Sequence, residues 1–174
     1  MFLWGIQMQI FAADVILSNA IDRLLEQLKK SIQTQFHKSS TNIDFEEKEK
    51  VLHAAFVEAE LKAVEEVLSQ CDINVPVINF EGKTYRQALR TEKTYMSAVG
   101  PVRIMRSLYR AKGETITMCP LEMTTGIIED LWTPRAAKQA LFAVSQLTPY
   151  EAEALFKELG AMNPSRSSLD RLPK

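Results

Sequence analysis

The run from Thr148 to Gly160 constrains this chain more than any other, because its letters mark both ends of a helix. Thr148 is a capping residue type, Pro149 suits the first helical position, and Glu151 stands three residues after the cap. Ala152, Leu155, Phe156 and Leu159 then share one face at helical spacing, and Gly160 can adopt the left-handed conformation where the helix stops. Asn163, Pro164 and Ser165 signal a second start and predict a short helix from Ser165 to Leu172, which Pro173 discourages from continuing. Two helices joined by a short turn containing glycine form the helix-turn-helix pattern.

In such a pair the second helix presents its early exposed residues to DNA and packs its apolar residues on the first. Leu169 and Leu172 are the packing pair, which turns Arg166, Ser167, Asp170 and Arg171 outward. Arginine can read guanine with two hydrogen bonds and serine can bond a base edge or a phosphate, so Arg166, Ser167 and Arg171 are the groove candidates. Helical hairpins of this kind also occur in proteins that never meet DNA, and packing alone accounts for the same letters.

The chain has 174 residues, 46% hydrophobic and 25% charged, enough to bury a core. Its net charge of −1 excludes a wholesale polyanion-binding surface, so any nucleic-acid contact must come from local clustering. Cys71 and Cys119 stand far apart and read as reduced thiols of a cytoplasmic protein. With only His37 and His53 to serve as bases or ligands, no nucleophile, metal site or cofactor is expected. The apolar start of the chain is interrupted by Gln7, Gln9 and Asp14 and lacks a preceding cation, which disfavours a signal peptide or a membrane span.

Leu3, Ile6, Ile10, Ala13, Leu17, Ala20 and Leu24 recur at steps of three and four, and Leu28 and Ile32 prolong the stripe, predicting a long amphipathic helix. It packs on its own domain or pairs with a second copy to form a homodimer. Asn42 or Asp44 caps a second helix running to about Ser69, with Leu52, Phe56, Ala59, Ala63 and Val67 inward and an acidic outer surface. From Asp72 onward turn residues alternate with strand types, marking a boundary near there.

Thr91 to Ala98 and Val102 to Tyr109 read as two strands joined at Gly100-Pro101. Charge reverses across this hairpin, where Lys83, Arg86, Arg90, Lys93, Arg103, Arg106, Arg110 and Lys112 face only Glu92 between positions 83 and 112. Lys83, Arg90, Arg103, Arg106 and Arg110 are the phosphate candidates, since a basic ribbon can lie along a backbone without reading sequence. A charged strand that only keeps an edge from aggregating is the alternative. Thr133-Pro134 opens a further helix with Ala137, Leu141, Val144 and Leu147 inward, and Trp132 reads as a core residue beside it.

Four blocks, F-E-G-K-T-Y-R at Phe80 to Arg86, T-E-K-T-Y-M-S-A-V-G-P-V-R-I-M-R-S-L-Y-R at Thr91 to Arg110, W-T-P-R-A-A at Trp132 to Ala137 and P-S-R-S-S-L-D-R-L at Pro164 to Leu172, resemble the N-terminal half of the ISKra-type insertion-sequence transposases. The resemblance implies a bacterial, nucleoid-associated protein that binds the ends of a mobile element, in a family whose two-metal catalysis rests on three carboxylates of a ribonuclease-H-like fold. The sequence ends at Lys174 without the stretch in which the family carries those carboxylates, so this portion is expected to bind DNA without catalysis of its own. Relatives often carry a cysteine-bearing connector after the hairpin, where this chain has only Cys119.

The expected fold is mainly α with a small antiparallel β-hairpin element: a helical region over 1–73, a basic hairpin and connector over 74–125, and a helix-turn-helix region over 126–174. The expected partner is double-stranded DNA. The rival reading is a helical protein-protein interaction module that dimerises or assembles with a full-length transposase.

Overall fold

A computed structural model describes residues 22, 25–26, 28–30, 32–34 and 44–172. The stripe over the first 36 residues therefore lies largely outside the described residues. Two compact units divide the chain, Met1–Ala63 and Val64–Lys174. The described elements are α1 (Phe45–Gln70), β1 (Val77–Phe80), β2 (Lys83–Ser97), β3 (Gly100–Ala111), α2 (Pro120–Thr125), α3 (Pro134–Gln146), α4 (Pro149–Leu159) and α5 (Arg166–Asp170).

The strands form one antiparallel sheet in the order β1-β2-β3, so the expectation of a mainly helical protein with a small hairpin is overturned. β2 is 15 residues long and β3 is 12, and together they form the frame on which the short helices of the second unit sit. The sequence hides the first half of β2 because Lys83 to Arg90 has no fully buried side chain and hence no alternation of apolar and polar residues.

Local chemistry closes both hairpins. Glu81 and Gly82 have φ of 48° and 76°, the two positive values that a two-residue type I′ turn requires, and they set Phe80 opposite Lys83. The second turn falls at Ala98-Val99 instead of Gly100-Pro101, because the Ser97 hydroxyl donates to the Gly100 carbonyl at 2.7 Å and accepts from the Val99 amide. Pro101 then lies inside β3 opposite Met96, at a position where its missing N–H breaks no ladder bond.

The core of the second unit gathers Trp132, Ala136, Ala137, Ala140, Ala143, Phe156, Met162 and Leu169. The inward face of α3 is thus a row of alanines, which lets Trp132 and Phe156 approach its backbone, while Leu141 is 36% exposed. On α1 the expected inward face is also corrected. Ala55 and Leu68 are buried, whereas Leu52, Phe56 and Val67 are exposed.

The terminal pair keeps its expected start and loses its expected identity. Thr148 and Glu151 form a full capping box, Gly160 is left-handed at φ 73°, and Leu169 and Leu172 are buried. Five non-helical residues nevertheless separate the start of α5 from Gly160, and α5 itself has 5 residues, little more than one turn. Ser165 caps the second helix where the sequence places its start, but the helix stops at Asp170 instead of Leu172, leaving among the described residues no clear helix-turn-helix and no recognition helix to enter a groove.

Candidate nucleic-acid interface

The distribution of positive charge on the sheet is governed by one irregularity. Gln87 pairs with Tyr109 but Leu89 pairs with Leu108, so Ala88 is an extra residue in β2. Side chains alternate across a strand, and a bulge exchanges the faces on either side of it. The result is that Arg86, before the bulge, and Lys93, after it, lie on the same face, the one that also carries Arg106 and Arg110 of β3. In an unbulged strand of the same sequence the odd spacing of Arg86 and Lys93 would place them on opposite sides.

Most of the candidate phosphate contacts are answered by carboxylates distant in the sequence. Lys83 Nζ is 2.9 Å from Glu114 Oε1, and Arg90 Nε is 3.6 Å from the buried Asp72. Arg103, on the opposite face, has Glu92 3.8 Å away, and both are largely exposed. Arg106 is paired with Glu122 of α2, with side-chain exposures of 16% and 15%. Arg106 therefore serves as an internal cation.

Arg110 is the remaining candidate, and its cross-strand partner is Arg86. Both are exposed, and among the described residues neither has an acidic partner. Opposite residues of an antiparallel pair stand with Cα atoms about 5 Å apart, where like charges oppose one another. Lys112 follows two residues after Arg110 and is also exposed. Leu89, 56% exposed, and Leu108 form the next row of the same face. Arg86 and Lys112 are legible in the sequence as charges, but what distinguishes them from their neighbours is the lack of a carboxylate, which only the fold decides.

Two buried polar clusters hold this face in place. At the foot of the hairpin Asp72 accepts from the Ser107 amide at 2.8 Å and from its hydroxyl at 3.0 Å. Gln87 bridges Ser107 and Asn74. The fully buried Tyr109 hydroxyl lies within hydrogen-bond distance of the Ile73 and Val75 carbonyls and the Val75 amide, and so pins the chain that leaves α1. Nearer the turn, the Tyr95 hydroxyl donates to Glu122 at 2.7 Å, and Arg106 contacts both. Burial, with Glu122 beside it, pushes the Tyr95 phenol well above its ordinary range. Burial likewise raises the Cys119 thiol, the opposite of what a nucleophile needs.

The groove candidates of the terminal pair lie elsewhere in the second unit. Arg166 has Asp170 3.9 Å away, and its backbone amide donates to Glu153 at 2.9 Å. Arg171 turns back to donate to the Ser167 carbonyl at 3.0 Å, and the Ser167 hydroxyl lies 3.0 Å from that of Ser165. All three side chains are exposed, yet the start of α5 is filled by a glutamate, so an anion arriving there meets a carboxylate.

Among the described residues no three His, Cys, Asp or Glu side chains gather as a metal set, and no helix is long and apolar enough to cross a membrane. Comparison with protein-family models, with curated proteins and with solved structures finds no match to this chain.

Proposed function

We propose that this chain is the DNA-binding and assembly portion of a transposase-type protein acting at mobile-element ends, without catalysis of its own, and that it grips the duplex through the foot of the hairpin. The observation that carries the reading is Arg86 opposite Arg110, two exposed guanidinium groups without a carboxylate among the described residues, with Lys112 beside them. Such a pair opposes folding slightly in the free protein and is relieved when phosphate oxygens come between the two charges. The four sequence blocks that resemble the ISKra-type transposases support the choice of DNA over other polyanions.

The contact is one of position. Arginine ribbons fix a protein on the backbone, and the interface assigns no residue to a base edge. Lys83, Arg90 and Arg103 contribute field at closer range, each reduced by its carboxylate. A protein-protein role is favoured by a separate observation, an apolar groove between α3 and α4, and is compatible with assembly on DNA.

Fluorescence anisotropy on a random duplex of about 30 base pairs, run as a salt titration, tests the reading. The Arg86→Ala/Arg110→Ala variant is expected to bind at least tenfold more weakly and to lose about two from the slope of log K against log salt, one per phosphate released. Arg166→Ala/Arg171→Ala is expected to bind as the parent does. Equal binding by parent and hairpin variant rejects the interface.

A further inference from the structure

Two exposed apolar surfaces in this chain carry margins of opposite charge. The first is a groove of about 810 Å³ between α3 and α4, lined by Phe142, Ala143, Leu155, Leu159 and Met162 among others. Phe142 is 73% and Leu159 59% exposed, so large apolar side chains stand in water at its mouth. Its charged lining residues are Arg135 and Lys138, both exposed and without an acidic partner among the described residues.

The second is a face of α1. Phe45, Leu52, Phe56 and Val67 recur at helical spacing and are 70%, 39%, 52% and 52% exposed. From Phe45 to Phe56 the stripe runs three turns, about 16 Å. Glu49 and Glu60 flank it, exposed and without a basic partner among the described residues. A helix face with aromatic anchors and an acidic margin is the occupant that a basic-rimmed apolar groove recognises.

We propose that the α3/α4 groove of one copy receives the acidic, phenylalanine-bearing face of α1 from a second copy, with Arg135 and Lys138 set against Glu49 and Glu60. The contact joins two different surfaces, so each copy brings one donor helix and one acceptor groove. Phe56 and Phe142 are its anchors. Because it uses none of the hairpin arginines, it stands or falls apart from DNA binding.

Sedimentation velocity of the full chain over a wide concentration range is expected to show concentration-dependent association. Phe142→Asp spoils the groove and Phe56→Asp spoils the helix, and each is expected to weaken association at least tenfold; both residues are exposed, and circular dichroism checks that the folds persist. Each variant keeps one intact surface, so an equimolar mixture is expected to associate again. Lys138→Glu and Glu60→Lys should each weaken association, and chains carrying both reversals should recover it. A chain that stays monomeric at every concentration, variants that associate like the parent, or a mixture that fails to complement would each overturn the proposal.

Discussion

The hairpin and the terminal helical pair both carry arginines that sequence nominates for DNA, and the two regions neutralise them by different means. In the terminal pair the partners are local and wet: Asp170 lies four residues after Arg166, and both side chains are more than half exposed. In the hairpin the partners come from 16 to 31 residues away for Arg106 and Lys83, and the Arg106-Glu122 pair is largely out of water. A local pair is weak because solvent screens it, whereas a remote buried pair ties two elements together. The contrast teaches that a run of cations is not yet an interface. Its available charge is what remains after distant carboxylates have been placed.

Breaking the most buried pair gives the largest expected effect. Glu122→Ala leaves the Arg106 guanidinium without its carboxylate in a site where its Nε already lacks a partner among the described residues. Removing one member of a buried pair costs about 3 kcal/mol or more, and urea unfolding should show it as a midpoint shift. Arg106→Leu/Glu122→Leu/Tyr95→Phe should recover most of that loss, because three apolar side chains need neither a counterion nor an acceptor for the Tyr95 hydroxyl. Recovery would sharpen the contrast. A Glu122→Ala midpoint equal to that of the parent would break it.

Next in size is the foot of the hairpin. Asp72→Ala removes the acceptor of the buried Ser107 amide and hydroxyl, and orphaning such groups costs about 1 to 3 kcal/mol. Native-state hydrogen exchange should show the Ser107 amide losing protection beyond that of its neighbours. Unchanged protection would mean that Asp72 is not what satisfies this edge.

These two clusters also mark where the sequence stops being readable. The capping box at Thr148, the left-handed Gly160, the buried Trp132 and the apolar Leu169 and Leu172 are legible because each depends on neighbours within a few residues. β2 is obscured by an Arg- and Lys-rich half whose side chains are solvated on both faces. The second turn is misplaced because Ser97, a common letter, closes it two residues early. The candidate site was half visible: Arg110 stands out by charge, but its partnership with Arg86 depends on the Ala88 bulge, and the loss of Lys83, Arg90 and Arg106 depends on Glu114, Asp72 and Glu122. Alanine in a bulge has no sequence signature, and pairings across tens of residues have none either.

The smallest expected effect belongs to the terminal pair and sets the scale for the others. Thr148 donates through its amide and hydroxyl to Glu151 and accepts from the Glu151 amide, a closed local loop that holds the Glu151 carboxyl below its ordinary range, chiefly through the hydroxyl. Thr148→Ala should cost about 1 kcal/mol at neutral pH. A folded-state value lower than the unfolded one means that the Glu151 share of this stability is complete above the ordinary glutamate range and is lost as pH falls through the lowered value. The gap between parent and Thr148→Ala in urea should therefore narrow on acidification, while Asp170→Ala should stay within about 0.5 kcal/mol of the parent at neutral pH. If Asp170→Ala instead cost as much as Glu122→Ala, local and remote neutralisation would be energetically alike, and a missing carboxylate would no longer set Arg86 and Arg110 apart.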